Sequence, residues 1–87
     1  METREIIYCL KKIVQPYVQN DLAFQDFSKN TNFIKDLEIN SAHLVDIVLD
    51  VEDEFNIAID NESMDQMVTV DDAVNIIKTK QESNDRQ

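Results

Sequence analysis

The stretch Ser41-Ala42-His43-Leu44-Val45-Asp46-Ile47-Val48-Leu49-Asp50-Val51-Glu52-Asp53-Glu54-Phe55 decides the fold. Leu44, Ile47, Val48, Val51 and Phe55 recur at steps of three, one, three and four, which is the spacing of one helical face turned to a core. At the helical advance of about 100° per residue, His43, Asp46, Asp50, Asp53 and Glu54 fall on the opposite side. Ala42, Val45 and Leu49 form an apolar shoulder between the two faces. Partial burial against a neighbouring loop explains such a shoulder, and so does a contact patch. Ser41, directly before the pattern, reads as the N-cap, where a side-chain oxygen satisfies an orphan helix amide.

Working outward, the same periodicity marks two more helices. Ile6, Leu10, Ile13, Val14 and Tyr17 form an amphipathic stripe, with Thr3 as its expected N-cap and Pro16 ending it near Gln15. Near the other end, Thr69 and Asp72 have the spacing of a capping box, and Val70, Ala73, Val74 and Ile77 mark the inward face of the last helix. Residues 18–40 form a long connection carrying Leu22, Phe24, Phe27, Phe33, Ile34, Leu37 and Ile39, more apolar side chains than a free linker needs. A loop packed onto the bundle, with short helical turns, is expected there. The alternation of Ile57 and Ile59 is too short for a strand without a partner, so residues 56–68 read as a connection with a helical turn around Ser63 to Met67. The fold expected is all-α: a small antiparallel bundle of three main helices plus one short helix, with a long ordered loop after the first. Residues 1–80 form the domain, and residues 81–87, without an apolar side chain, a frayed polar tail.

Composition narrows the function. An 87-residue chain buries only about 60% of its unfolded surface, enough for one modest core and no deep cleft besides. It contains no glycine, which excludes the Walker loop, the dinucleotide fingerprint and the usual calcium loop. The formal net charge of −10 disfavours nucleic acid, and residues 36–72 hold twelve acids and no base. That block reads either as a solvated face or as a docking surface for basic partners. The one cysteine, Cys9, permits no intrachain disulfide and suits a reducing compartment. The longest apolar run, Ile6 to Leu10, is too short to span a membrane. The first residues lack the pattern of a signal peptide, so a cytoplasmic protein is expected, and so negative a surface favours a monomer.

No active site assembles from these residue types. His43 is the single histidine and sits on a solvent-facing position, and Ser41 lies two residues from it, a spacing that does not bring side chains together on a helix. Cys9 borders the core stripe, as a structural thiol does. Asp60, Glu62 and Asp65 lack the ligand ladder of a calcium site. No catalytic residue and no metal is assigned, and the chain is read as not an enzyme. Ser41 projects from a loop–helix junction, where the helix dipole and free amides favour an attached phosphate.

These residues resemble the acyl carrier protein family. Phe33-Ile34-Lys35-Asp36-Leu37-Glu38-Ile39-Asn40-Ser41, then Leu44-Val45-Asp46-Ile47-Val48 and Val51-Glu52-Asp53-Glu54-Phe55, look like the family's attachment motif and second helix. Ile57 and Ile59 follow as they do in that family, and Val68-Thr69-Val70, Ala73-Val74 and Ile76-Ile77 look like its last helix. The likeness covers residues 33–78; the first helix agrees only in length and pattern. It implies a covalent 4′-phosphopantetheine arm on Ser41, derived from coenzyme A, whose thiol holds a fatty acyl, polyketide, aryl or aminoacyl group for partner enzymes. It further implies docking through Asp46, Asp50, Glu52 and Asp53, with apolar contacts from Ala42, Val45 and Leu49. The partners implied are a phosphopantetheinyl transferase and acyl-handling enzymes with basic patches. Asn40-Ser41-Ala42 stands where the family usually has Asp-Ser-Leu, Glu38 replaces a common glycine, His43 stands where an acid is frequent, and Lys35 adds a positive charge. These departures suggest a specialised carrier; the alternative is an unmodified carrier-like interaction module.

Overall fold

The computed structural model describes residues 2–85. Its first helix, α1 (Thr3–Val14), gives way at Pro16 to one 3₁₀ turn over Gln15–Tyr17, as a residue without an N–H and with a fixed φ requires. Thr3 does not cap it. Glu2 holds that position, accepting the Ile6 N–H with its carbonyl at 3.1 Å, while the Thr3 hydroxyl accepts a hydrogen bond from the Lys78 ammonium of the last helix. A second, short helix, α2 (Asp21–Gln25), lies inside the long connection, capped by the Asn20 side chain. The third, α3 (Leu44–Phe55), is entered through a 3₁₀ turn over Ser41–His43. The fourth, α4 (Asn61–Asp65), starts earlier than Ser63, because the Asp60 carboxylate accepts the Ser63 N–H at 2.7 Å and so caps it. The last, α5 (Val70–Asp85), opens with the expected capping box. Asp72 N–H donates to Thr69 Oγ1 at 3.2 Å, and Thr69 N–H donates back to Asp72 Oδ2 at 3.0 Å. Residues from Gln81 continue that helix to Asp85; the end of the expected polar tail lies outside the described residues.

Among the described residues the architecture is therefore all-α, with three long helices, the short α4 and an additional short α2 in the loop. One core joins them. Ile6, Leu10 and Val14 of α1 meet Ile47, Val48, Val51 and Phe55 of α3, and Val70, Ala73, Val74 and Ile77 of α5, all buried. α1 packs on both α3 and α5. The loop contributes Phe33, Leu37 and Ile39, each almost wholly removed from water, while Phe24 and Phe27 are half-buried and Leu22, expected as an anchor, is exposed.

Backbone hydrogen bonds explain why so long a loop is ordered. Gln19 and Asn20 N–H donate to the Leu37 carbonyl at 3.1 and 3.2 Å. Phe33 N–H donates to Val68 O at 3.1 Å and Val70 N–H to Thr31 O at 2.9 Å, around a single β-bridge between Asn32 and Thr69. The loop is thus tied both to the end of α1 and to the entry of α5, which brings residues 32–41 beside α3 and α4. Among the described residues two non-glycine residues take the left-handed conformation. Asn56, at φ 54°, ends α3 in a position that asparagine tolerates. Glu38, at φ 56°, shows that the loop keeps the bend a glycine favours and places a Cβ in it.

Candidate functional site

The site is built at the entry to α3. Asn40 has extended backbone and its Oδ1 accepts the Ala42 N–H at 2.9 Å, while its carbonyl accepts the His43 N–H at 2.8 Å. Asn40, and not Ser41, is therefore the cap. Ser41 is the first residue of the 3₁₀ turn and is exposed. Among the described residues none hydrogen-bonds its hydroxyl. Relieved of the capping role, that oxygen faces solvent at the head of a twelve-residue helix, where the dipole favours negative charge. Free amides contribute less than the sequence suggested, because Asn40 already occupies those of Ala42 and His43.

Beside Ser41 lies a groove of about 400 Å³. Its walls come from three places that the folded loop brings together: Ile34 and Lys35 of the loop, Leu44 and Val45 of α3, and Met64, Met67 and Val68 around α4. Its lining is mainly apolar, with Lys35 and Asp65 as the charged members. Sequence reasoning did not gather these residues. Met64 and Met67 have a spacing of three that fits one helical face, but Met67 lies beyond the end of α4, and nothing in the sequence placed either side chain next to Ser41.

The outer face of α3 is the second feature. Asp46, Asp50, Asp53 and Glu54 are exposed, and so are Ala42, Val45 and Leu49, with Val45 at 48% and Leu49 at 57% of full exposure. The apolar shoulder is therefore a surface patch, not a seam against the loop. Glu52 stands apart from this face: it is half-buried, and its carboxylate accepts the Ile59 N–H at 2.6 Å, tying the chain beyond α3 back onto the helix. Tyr17 joins the face unforeseen. Its ring lies 5.3 Å from that of His43, tilted by 57°. Desolvation, then the Asp50 and Asp46 carboxylates, push its phenol above the usual range. Asp60 neither joins this face nor forms a metal cluster with Glu62 and Asp65; it caps α4 and pairs with Lys80 at 3.6 Å.

Among the described residues no helix is long and apolar enough to cross a membrane. No protein-family model matches the chain. Its sequence is similar to curated proteins, among them the acyl carrier protein of Lactobacillus acidophilus, 35% identical over 81 residues that span 93% of this chain and 99% of that one. The acyl carrier protein of Picosynechococcus is 36% identical over 81 residues, spanning 93% and 98%. In three dimensions the chain is similar to the crystal structure of an acyl carrier protein from Thermotoga maritima. The TM-score is 0.78 at 28% identity, over 95% of this chain and 94% of that one.

Proposed function

Since the chain belongs to the acyl carrier protein family, we propose that it carries acyl groups on a 4′-phosphopantetheine arm attached to Ser41 and presents them to partner enzymes, without catalysing their chemistry. The observation that carries this reading is the hydroxyl of Ser41: exposed, released from capping by Asn40, and opening on an apolar groove. The arm, when attached, supplies a terminal thiol that holds the acyl group as a thioester. The chain's own part is to display, steer and shelter. Asn40 fixes the turn from which the serine oxygen is presented to solvent. Ile34, Leu44, Met64 and Val68 offer apolar surface on which an aliphatic cargo loses contact with water, at roughly 25 cal/mol per Å² covered.

Asp46, Asp50 and Asp53 supply the long-range attraction that raises encounter rates with a basic partner, and Ala42, Val45 and Leu49 the short-range contact that holds it. Exposed carboxylates interact weakly one by one, so the complex forms fast and dissociates fast, as a carrier visiting several enzymes requires. The chain acts in this reading as a cytoplasmic monomer.

The test is intact mass after incubation with coenzyme A and a broad-specificity phosphopantetheinyl transferase, beside Ser41→Ala. One added phosphopantetheine on the wild type and none on the variant is expected. A folded wild type that stays unmodified, with this transferase and with transferases from the same cells, would instead favour an interaction module that uses only the α3 face.

A further inference from the structure

Lys35 has no task in the fold. It is exposed, and among the described residues it makes no ion pair; exposed Arg4 and Lys29 make none either, but of these three Lys35 alone lines the groove beside Ser41, while Lys80 is matched to Asp60, Lys78 to Thr3, and Lys11 and Lys12 to aromatic rings. Its backbone is nevertheless held firmly. The Asn32 Oδ1 accepts the N–H of Ile34 at 2.9 Å and of Lys35 at 2.8 Å, and Asp36 Oδ2 accepts the Asn32 N–H at 2.8 Å. The Asp36 carboxylate is thereby turned onto the loop backbone. A fixed Cα thus projects an unpaired ammonium stem at the groove that Ser41 lines, and Lys35 is the sole cation among that groove's lining residues.

The setting makes a cation there unexpected. The forty-two residues between Lys35 and Lys78 contain no Lys or Arg at all, and Asp65 lines the same groove. An anion on the Ser41 oxygen would meet a strongly negative environment. The amides that usually greet a phosphate at a helix entry are reduced here, because Asn40 occupies those of Ala42 and His43.

Resting on the assignment of the arm to Ser41, we infer that the Lys35 ammonium is the counter-ion of the arm's phosphodiester and leads the arm along the loop side of the groove. The phosphodiester is bonded to Ser41 whatever the cargo, so the pairing holds in the unloaded and loaded protein alike. Asp65, from α4, repels the same anion and biases it toward Lys35. Lys35 is in this account a positioning residue, and its contribution is electrostatic and screened by salt.

The experiment is phosphorus NMR of the full chain carrying the arm with a free thiol, as wild type, Lys35→Met and Lys35→Arg. Thermal unfolding of each is followed with and without the arm. The phosphodiester resonance is expected to shift in Lys35→Met, to stay in place in Lys35→Arg, and to lose the difference near 1 M salt, where the screening length is about 3 Å. Attachment of the arm should raise Tm more in the wild type than in Lys35→Met, while the two unmodified proteins unfold alike. A resonance identical in wild type and Lys35→Met, with equal Tm changes, overturns this inference and leaves the carrier assignment intact. A shift that appears only once a dicarboxylic acyl group is loaded assigns Lys35 to the cargo and also overturns it. Absence of any phosphodiester signal in the wild type overturns both.

Discussion

Replacing Asn40 by alanine tests the feature on which the site depends. The Asn40 side chain makes one hydrogen bond, to the Ala42 N–H at 2.9 Å, and is itself exposed, so its removal opens no cavity. What is lost is the satisfaction of one orphan amide, which for Asn at an N-cap costs about 0.5–2 kcal/mol, typically about 1 kcal/mol. For a domain of 60–100 residues about 1 kcal/mol lowers Tm by roughly 4–8 °C. Asn40→Asp keeps the acceptor and should hold wild-type stability, and Asn40→Gly should lose only a few tenths of a kcal/mol. Ser41→Ala, which removes no cap in this structure, should be close to neutral. Thermal and urea unfolding followed by far-UV circular dichroism reads all four. A stable Asn40→Ala beside a Ser41→Ala weakened by about 1 kcal/mol would refute the reasoning, because Ser41 would then be the cap and its hydroxyl would not be free.

Three further outcomes are expected. Reversing the charge at Asp46 and Asp50 together should slow association with a basic partner enzyme, most at low ionic strength, and stopped-flow rates that do not depend on salt would count against the α3 face. Glu38→Gly should stabilise the chain by about 0.5–1 kcal/mol: a left-handed non-glycine residue costs about 1–2 kcal/mol, and glycine returns roughly half of that in chain entropy. A loss of stability in urea unfolding would show that the Glu38 side chain matters more than its backbone. The Asp60 carboxyl is held below its usual range, first by the Ser63 N–H, then by the Ser63 hydroxyl, with Lys80 adding attraction. Its contribution is therefore present above the unfolded value of about 3.9 and lost as pH falls through the lower folded one. Asp60→Asn should flatten the acid limb of the stability profile there, and an unchanged limb would contradict the capping role.

How far the sequence led depends on the kind of interaction. Ile6, Leu10, Ile47, Val51, Val74 and Ile77 were legible because burial of one helical face imposes a period that no other requirement disturbs. The Thr69–Asp72 box was legible because both partners lie within one turn. Two caps were misplaced by one residue: Thr3 for Glu2 at α1, and Ser41 for Asn40 at the 3₁₀ turn that leads into α3. Asn and Ser cap about equally well, so adjacent candidates cannot be ranked without the backbone. Glu38 gave no sign of its conformation as a residue type, since glutamate has no local hydrogen bond that favours a positive φ; only its place where the resembled family has a glycine pointed to the bend. Glu52 looked like one acid in a row until its bond to Ile59 N–H showed it turned inward. The groove was illegible for a different reason: Ile34, Val45 and Met67 become neighbours only through the loop's hydrogen bonds to Val68, Val70 and Leu37.

The central claim is that Ser41 carries the arm in the cell. Its most direct test is tandem mass spectrometry of the protein purified from cells that produce it, read on the peptide containing Asn40-Ser41-Ala42. The account predicts phosphopantetheine on Ser41, with an acyl group on a fraction of the molecules. A Ser41 peptide found only unmodified, or an arm found on another residue, would contradict it.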